Sequence, residues 1–205
     1  GLTSSKKLIR SLDNIRAKVS IKLMRNDQLV HEEAGEILFR SYGLSGIVVF
    51  DMSRYVKNRD NLLLDFFPEI PLKDLTKEFE KRSKEEGTTA SDLFCGMMLS
   101  SISRVILNHC EVPLNETPTK AQINNIARAC KYFPVEIIGP GSPNQAQCFR
   151  GGFDLEEFSP STMSSYKVKG FYAAGECLNQ DARCGGFNLH WAWTTGLLAA
   201  KAIEK

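Results

Sequence analysis

The spacing of apolar and polar residues in the first third of the chain predicts antiparallel strands. Apolar and polar side chains alternate from Ala17 to Met24, which is typical of a strand with one buried face. Asn26-Asp27 is a turn signal, after which Gln28 to Glu33 is predicted to return as a second strand. Gly35 to Phe39 is predicted as a third strand. Residues 15–67 are therefore expected to be rich in β-structure.

Short breaks separate the next elements. Two glycines and two serines interrupt the pattern before Ile47, and Ile47 to Val56 is predicted as a helix with Ser45 as its N-cap. Asn61 to Phe67 is predicted as a buried strand that Pro68 ends. The spacing between Leu2 and Arg16 fits either a short helix or a loop.

The middle of the chain changes to helical spacing. Apolar residues recur every three or four positions through residues 72–131, which predicts three or four short helices. Their candidate N-caps are Thr89 or Ser91 for one helix and Thr119 for another.

Strands are predicted again after the helices. Phe133 to Ile138 is predicted as a strand and Ala146 to Arg150 as its partner across a turn. The economical arrangement is a β-barrel-like unit with a helical insertion.

The end of the chain contains a strand, a loop and a helix in order. Phe171 to Ala174 is predicted as a buried strand that ends in Gly175-Glu176, and a polar loop then closes on Gly185-Gly186. The apolar stretch from Phe187 to Ile203 is predicted as a helix. The start of such a helix exposes backbone N–H groups and the positive end of the helix dipole, which suits an electron-rich ligand.

These last residues carry a family resemblance. The pattern AGE-x4-D-x3-GGFNLHWAW-x2-G resembles the carboxyl-terminal signature of BaiN-type flavoproteins, which are NAD(P)/FAD-dependent oxidoreductases. Residues 35–56 and 146–165 resemble two further motifs of the family, so the resemblance runs from about Ile15 to the end.

The resemblance implies an α+β fold in two parts. Residues 1–152 would form an inserted β-barrel-like substrate domain, β-rich at 15–67 and 133–152 and helical at 72–131. Residues 153–205 would supply the carboxyl-terminal strand and helix of an α/β FAD-binding domain.

The resemblance also implies a cofactor and a reaction. The full protein would use NAD(P)H and FAD to reduce an organic small molecule, with an activated C=C bond as the candidate acceptor; no catalytic residue is assigned. The implied FAD-binding residues are Gly175, Glu176, Asp181, Gly185, Gly186, Phe187, Asn188 and Leu189, with Ser45, Gly46, Gly151 and Gly152 as further candidates.

Three of these features also have a purely structural interpretation. Glu176 could cap a strand end and Asn188 could cap a helix, while Ser45-Gly46 could be an ordinary strand-to-helix turn. His190 stands where the family has glutamine, and we expect it to be buried. For the whole chain, a non-catalytic interaction module or a half-enzyme completed by a second polypeptide remains an alternative.

The G-x-G-x-x-G turn that holds the ADP half of FAD is not found in these residues. We therefore expect a fragment whose partner is the remaining FAD-binding domain, with weak or no FAD binding and no activity by itself. An unpaired tail, including Phe171–Ala174 and the final helix, would expose apolar surface. We therefore expect the tail to be disordered, to fold back on the barrel or to pair with another copy of the chain as a homodimer.

Composition narrows the other possibilities. The 205 residues are 42% hydrophobic and carry a net charge of +2, so neither nucleic-acid binding nor membrane attachment is expected, although Lys6 and its neighbours are locally basic. Six cysteines occur without a C-x-x-C pair, which indicates reduced thiols in a cytoplasmic protein and no metal site.

Overall fold

The chain divides into two compact units. A computed structural model describes residues 1–5, 7–57 and 59–204, except the side chain of Gln145; Lys6 of the predicted basic segment lies outside these ranges. The units are Gly1–Ser142 and Pro143–Lys205. This division falls before the predicted domain boundary at residue 152, because Gly152 packs against Cys177 of the second unit.

The first unit is built on a closed six-stranded barrel. Each neighbouring pair of strands is antiparallel, in the order β1-β4-β3-β2-β5-β6. The predicted barrel is therefore confirmed. The strands are β1 (Leu2–Ser4), β2 (Arg16–Arg25), β3 (Gln28–Arg40), β4 (Gly43–Ser45), β5 (Asn61–Asp65) and β6 (Phe133–Pro140).

Two predicted strands are in fact one. Strand β3 continues through Gly35, which pairs with Val19 of β2. A side chain at Gly35 would place its Cβ 3.3 Å from the Cβ of Val48. Glycine here thus allows helix α1 (Ile47–Ser53) to pack closely on the strand.

The predicted N-cap of α1 is wrong. Ser45 is the last residue of β4 and pairs with Leu38, so its backbone is still in the sheet. Gly46 occupies the N-cap position with φ 103°, and no described side chain caps the helix. A Cβ at Gly46 would lie 2.8 Å from the Glu36 carbonyl oxygen, so the tight turn requires glycine.

The helical insertion contains three α-helices. They are α2 (Leu72–Arg82), α3 (Ser100–His109) and α4 (Lys120–Lys131), with a 3₁₀ turn at Asp92–Phe94. Thr119 caps α4 as predicted, since its side chain accepts a hydrogen bond from the Gln122 N–H while the Gln122 side chain accepts one from the Thr119 N–H. Near the amino terminus, Lys7–Leu12 forms a 3₁₀ helix.

One buried ion pair ties the insertion to the barrel. The Lys131 ammonium at the end of α4 lies 2.6 Å from Asp65 at the end of β5. It also donates hydrogen bonds to the carbonyl oxygens of Phe67 and Ile70. Both ionic side chains are buried, yet their polar atoms are satisfied, as burial of charge requires.

The second unit has little regular structure before its last helix. Helix α5 spans Phe187–Ile203, as predicted. The strand predicted at Phe171–Ala174 is wrong, because the segment makes only an isolated bridge between Tyr172 and Ser164 among the described residues. The strand predicted at Ala146–Arg150 is also wrong; these residues are exposed and pair with no strand in the described chain.

A small core holds the second unit together. Phe158, Met163, Ala173 and Leu178 are buried, and Trp191 and Leu198 of α5 are among the side chains that pack against them. No helix within the described ranges combines the length and apolarity needed to cross a membrane.

Candidate functional site

The start of α5 has an open, glycine-rich backbone. Gly185 and Gly186 both have positive φ angles, 126° and 90°. Gly186 is the N-cap, and no side chain in the described residues caps the helix. Phe187 and Leu189 in the first turn are 60% and 70% exposed. The first amides of α5 therefore lie at a surface that a ligand can approach.

A second turn lies against the side of the same helix. Gly175 begins the 3₁₀ turn Gly175–Cys177 and is buried with φ 70°. Its N–H donates to Thr195 Oγ1 at 2.8 Å, and its carbonyl oxygen accepts from Trp191 Nε1 at 3.2 Å. Both polar groups of this glycine are thus held by side chains of α5.

Asn188 holds the far end of the loop that follows Gly175. Its Oδ1 accepts a hydrogen bond of 2.8 Å from the Ala182 N–H, and its Nδ2 donates to the Ala182 carbonyl oxygen at 3.4 Å. Nδ2 also lies 3.6 Å from Cys148 Sγ. Asn188 therefore acts on the loop through its side chain while its backbone belongs to the first turn of α5.

The segment around Gly152 lies beside the same loop. The Phe149 N–H donates to Glu176 Oε1 at 2.5 Å, and Arg150 Nε lies 3.9 Å from Asp181 Oδ1. A Cβ on Gly152 would come within 2.3 Å of the Cys177 carbonyl oxygen. Glycine is therefore required for this close approach of two backbones.

The structure brings most of the predicted site residues into one unit. Gly151, Gly152, Gly175, Glu176, Asp181 and the run from Gly185 to Leu189 belong to the second unit, and Ser45 and Gly46 belong to the first. Glu176 is exposed, and its carboxylate holds the Phe149 amide. Gly46 serves as the N-cap of α1.

Sequence reasoning missed the part that Trp191 and Thr195 play. The signal was available, because Asn188, Trp191 and Thr195 are spaced at i, i+3 and i+7 and so share one face of a helix. The expectation that His190 is buried is wrong. His190 is exposed, since it lies outside this packed face.

The donor set can be tested against an electron-rich cofactor. A Cβ at Gly186 would meet no described atom within 4 Å, so the surface there is open and the positive φ alone restricts the residue. Uncapped amides at the start of α5 favour negative charge. The neighbouring carboxylates of Glu176 and Asp181 repel phosphate but accept hydrogen bonds from hydroxyls. These groups suit the negative charge that collects on a reduced flavin ring and the hydroxyl groups of its side chain.

Comparison with known proteins identifies the family. The profile of the HI0933-like protein Rossmann domain matches residues 76–202, which is more than half of the chain. The chain belongs to this family. The resemblance to BaiN-type flavoproteins that the carboxyl-terminal pattern predicted is therefore confirmed.

Three characterised relatives of this HI0933-like chain cover most of its length. The 3-dehydro-bile acid delta(4,6)-reductase of Clostridium scindens is 29% identical over 201 residues, which span 93% of this chain and 49% of the relative. The ribosomal RNA dihydrouridine synthase of Haemophilus influenzae is 23% identical over 97% of this chain and 49% of its own length. The Escherichia coli protein of that name is 25% identical over 82% and 42%. The chain thus spans about half the length of these relatives.

Proposed function

We propose that this HI0933-like chain is part of a flavin-dependent oxidoreductase that binds FAD. The observation that carries the proposal is the open, glycine-flanked start of α5 in a chain that belongs to this family. The relatives are about twice as long as the aligned region. The remaining FAD-binding domain would accordingly lie in a longer polypeptide or in a second chain.

The chain's own residues would serve different parts of the cofactor. Bound FAD would supply hydride-transfer chemistry, which proteins tune by placing charge and hydrogen bonds around the ring. The amides of Phe187, Asn188 and Leu189 would stabilise negative charge on the reduced ring. Glu176 and Asp181 would accept hydrogen bonds from hydroxyl groups.

The proposed reaction is reduction of a carbon–carbon double bond with NAD(P)H as the hydride donor. A delta(4,6)-reductase and a dihydrouridine synthase share this chemistry, because dihydrouridine is uridine with two hydrogens added across a ring double bond. We propose a small organic molecule as the substrate. Two relatives are ribosomal RNA dihydrouridine synthases, so ribosomal RNA is the substrate against which small molecules are compared in the test.

The experiment begins with the polypeptide encoded by the complete reading frame. It should purify yellow with stoichiometric FAD, and anaerobic NADH or NADPH should bleach the flavin band. Unsaturated ketones should then restore the colour, whereas reoxidation by unmodified ribosomal RNA and not by the ketones would overturn the small-molecule substrate. A complete protein that contains no flavin and takes up none would overturn the proposal and leave an interaction module as the alternative.

Gly186→Val is the sharpest change for testing the site. A β-branched residue disfavours the 90° φ of Gly186 and covers the amides behind it. The variant should lose FAD while the barrel of the first unit stays folded. Flavin retained at the wild-type ratio would contradict close approach at this position. Gly87→Val is a matched control, because Gly87 has φ 79° in open space within the first unit.

The 205-residue chain by itself should bind FAD weakly or not at all, since it lacks a G-x-G-x-x-G turn for the pyrophosphate. Titration calorimetry checks this, and binding at micromolar affinity or tighter would contradict the proposed division of the cofactor site. We also propose a cytoplasmic location, which is supported by six cysteines that form no disulfide.

A further inference from the structure

Three side chains on one face of α5 hold the two ends of a single loop by hydrogen bonds. Gly175 is held by Trp191 and Thr195, while Ala182 is held by Asn188. The three helix residues occupy positions i, i+3 and i+7, so they form one stripe along the helix. We call these three side chains the α5 stripe.

Thr195 is the buried centre of the stripe. It has 0% exposure, and its hydroxyl both accepts from the Gly175 N–H and donates to the Trp191 carbonyl oxygen at 2.8 Å. The hydroxyl therefore joins the Gly175 turn to the helix backbone. In a buried site, replacing it with a methyl group would leave the Gly175 N–H without a partner.

Close packing beside Thr195 accompanies these bonds. A Cβ on Gly175 would lie 3.4 Å from the Cβ of Ala192, which is the neighbouring small residue on the same side of α5. The turn thus lies directly on the helix surface. A displacement of the turn would break the hydrogen bonds to both Thr195 and Trp191.

The loop held in this way carries the site's carboxylates. Glu176 directly follows Gly175, and Asp181 directly precedes Ala182. Each carboxylate faces the neighbouring segment through Phe149 N or Arg150 Nε. The position of both carboxylates relative to the start of α5 is consequently set by the stripe.

We infer that the α5 stripe positions the loop from Gly175 to Ala182, which we call the cofactor loop. Thr195 and Asn188 are positioning residues that act on this loop through Gly175 and Ala182. Its purpose rests on the proposed function, because the loop would align hydroxyl-binding carboxylates with ring-binding amides. Its geometry does not depend on that function. The hydrogen bonds can be tested with no flavin present.

The first arm of the test is amide hydrogen exchange in the 205-residue chain. Thr195→Val should make the Gly175 amide exchange about tenfold faster, because its only acceptor among the described residues is removed. Thr195→Ser keeps the hydroxyl and should restore protection. Thr194→Val is the matched control, since Thr194 is the exposed neighbour on α5. Equal exchange rates of the Gly175 amide in Thr195→Val and Thr194→Val would show that Thr195 does not hold Gly175 and would overturn the role of the α5 stripe.

The second arm measures FAD release from the protein of the complete reading frame, at a temperature where each variant is fully folded by circular dichroism. Thr195→Val and Asn188→Leu should each release FAD roughly five- to tenfold faster than wild type. Thr195→Ser should return the rate to the wild-type range. Unchanged release from both variants would overturn the positioning role even if the exchange arm succeeds.

A third variant tests the same hydrogen-bonded turn with a smaller risk that the protein misfolds. Trp191→Phe keeps an aromatic ring at this position but removes the Nε1 donor to Gly175. It should speed FAD release with little loss of stability, and no effect would count against the stripe. If the wild-type protein contains no flavin, the proposed function fails. The hydrogen-exchange measurement still decides whether the α5 stripe holds the loop.

Discussion

The two units of the chain differ in how much of their apolar surface they bury. The barrel and its helices share one continuous core in which Phe39, Leu64 and Phe133 are almost fully enclosed. The second unit has four buried hydrophobic residues in its cluster. Its helix α5 leaves Leu189, Trp193 and other apolar side chains exposed. The first unit is therefore organised around its interior, and the second presents much of its apolar surface outward.

This difference separates stability from function. A closed barrel has no free strand edge, so it needs no partner to satisfy its backbone. The second unit has polar contacts that arrange a loop and a helix start but little core to support them. Substitutions in the first unit should mainly change stability. Substitutions at the start of α5 should mainly change ligand binding or association.

The largest effect is expected from opening the barrel core. Phe39→Ala removes a ring with 0% exposure and should lower the free energy of unfolding by about 3–5 kcal/mol. Phe187→Ala is the matched change in the second unit, where the ring is 60% exposed. It should change stability by less than about 0.5 kcal/mol. Urea unfolding followed by circular dichroism measures both, and equal effects would contradict the contrast between the units.

A slightly smaller loss is expected from breaking the buried ion pair. Lys131→Met removes the ammonium and leaves the Asp65 carboxylate buried beside the barrel, which should cost about 3 kcal/mol. The double variant Lys131→Met with Asp65→Asn should recover part of that loss. The amide oxygen introduced by Asp65→Asn would still accept the hydrogen bond that the Phe67 N–H donates to the carboxylate. Equal stability of the single and double variants would show that the stranded charge is not the cause.

Local sequence signals predicted the helices whose first residues are marked by a glycine or a capping side chain, and the strand marked by alternating apolar residues. Helix α5 starts after Gly186, and α4 starts at the Thr119 capping box, both as the sequence indicated. Alternation from Ala17 predicted β2 because one face of that strand packs into the barrel. These features depend on neighbouring residues, so they can be read from a short window.

Features that depend on distant residues were not predictable in this way. Strand β3 continues through Gly35 because its backbone pairs with Val19 of β2, and the missing side chain leaves room for α1. Lys131 is buried because Asp65 and two carbonyl groups meet it across the fold. Phe171–Ala174 has the apolar composition of a strand but has only an isolated bridge in the described chain. Apolar composition indicates that a segment can form a β-strand. It forms one only where a neighbouring strand supplies backbone hydrogen bonds.

A pH effect on stability is expected from Asp60 in the first unit. Hydrogen bonds from the Arg25 guanidinium hold the pKa of the buried Asp60 carboxyl below its usual value, outweighing burial, which raises it. Because the folded pKa is depressed, the stabilisation is complete above the unfolded pKa of about 4 and is lost as pH falls through the folded pKa. Asp60 should contribute at most about 1.4 kcal/mol per pH unit to the slope in that window, the value for one proton.

Asp60→Asn should flatten this part of the stability profile. The measurement is urea unfolding at a series of pH values from about 6 down to 2, which brackets the usual range for aspartate. Asp27→Asn is the control, because Asp27 is exposed in the turn between β2 and β3. A wild-type slope retained in Asp60→Asn would assign the acid sensitivity to other carboxylates.

The smallest effect on stability, and the clearest on association, is expected at the outer side of α5. Trp193 is 73% exposed, so Trp193→Ser should change the free energy of unfolding by less than about 0.5 kcal/mol. We expect the wild-type chain to dimerise through this apolar surface, because pairing two copies would remove the exposed apolar side chains of α5 from water. Light scattering after size exclusion should therefore show dimers for the wild type and monomers for Trp193→Ser and for a truncation ending near Lys169.

The opposite outcome has a clear meaning. If the wild type and the truncation are both monomers, and the amides of α5 are as protected from hydrogen exchange as those of the barrel, the second unit is self-sufficient. The exposed side of α5 would then be an ordinary surface, and the contrast between the two units would lie only in the size of their cores.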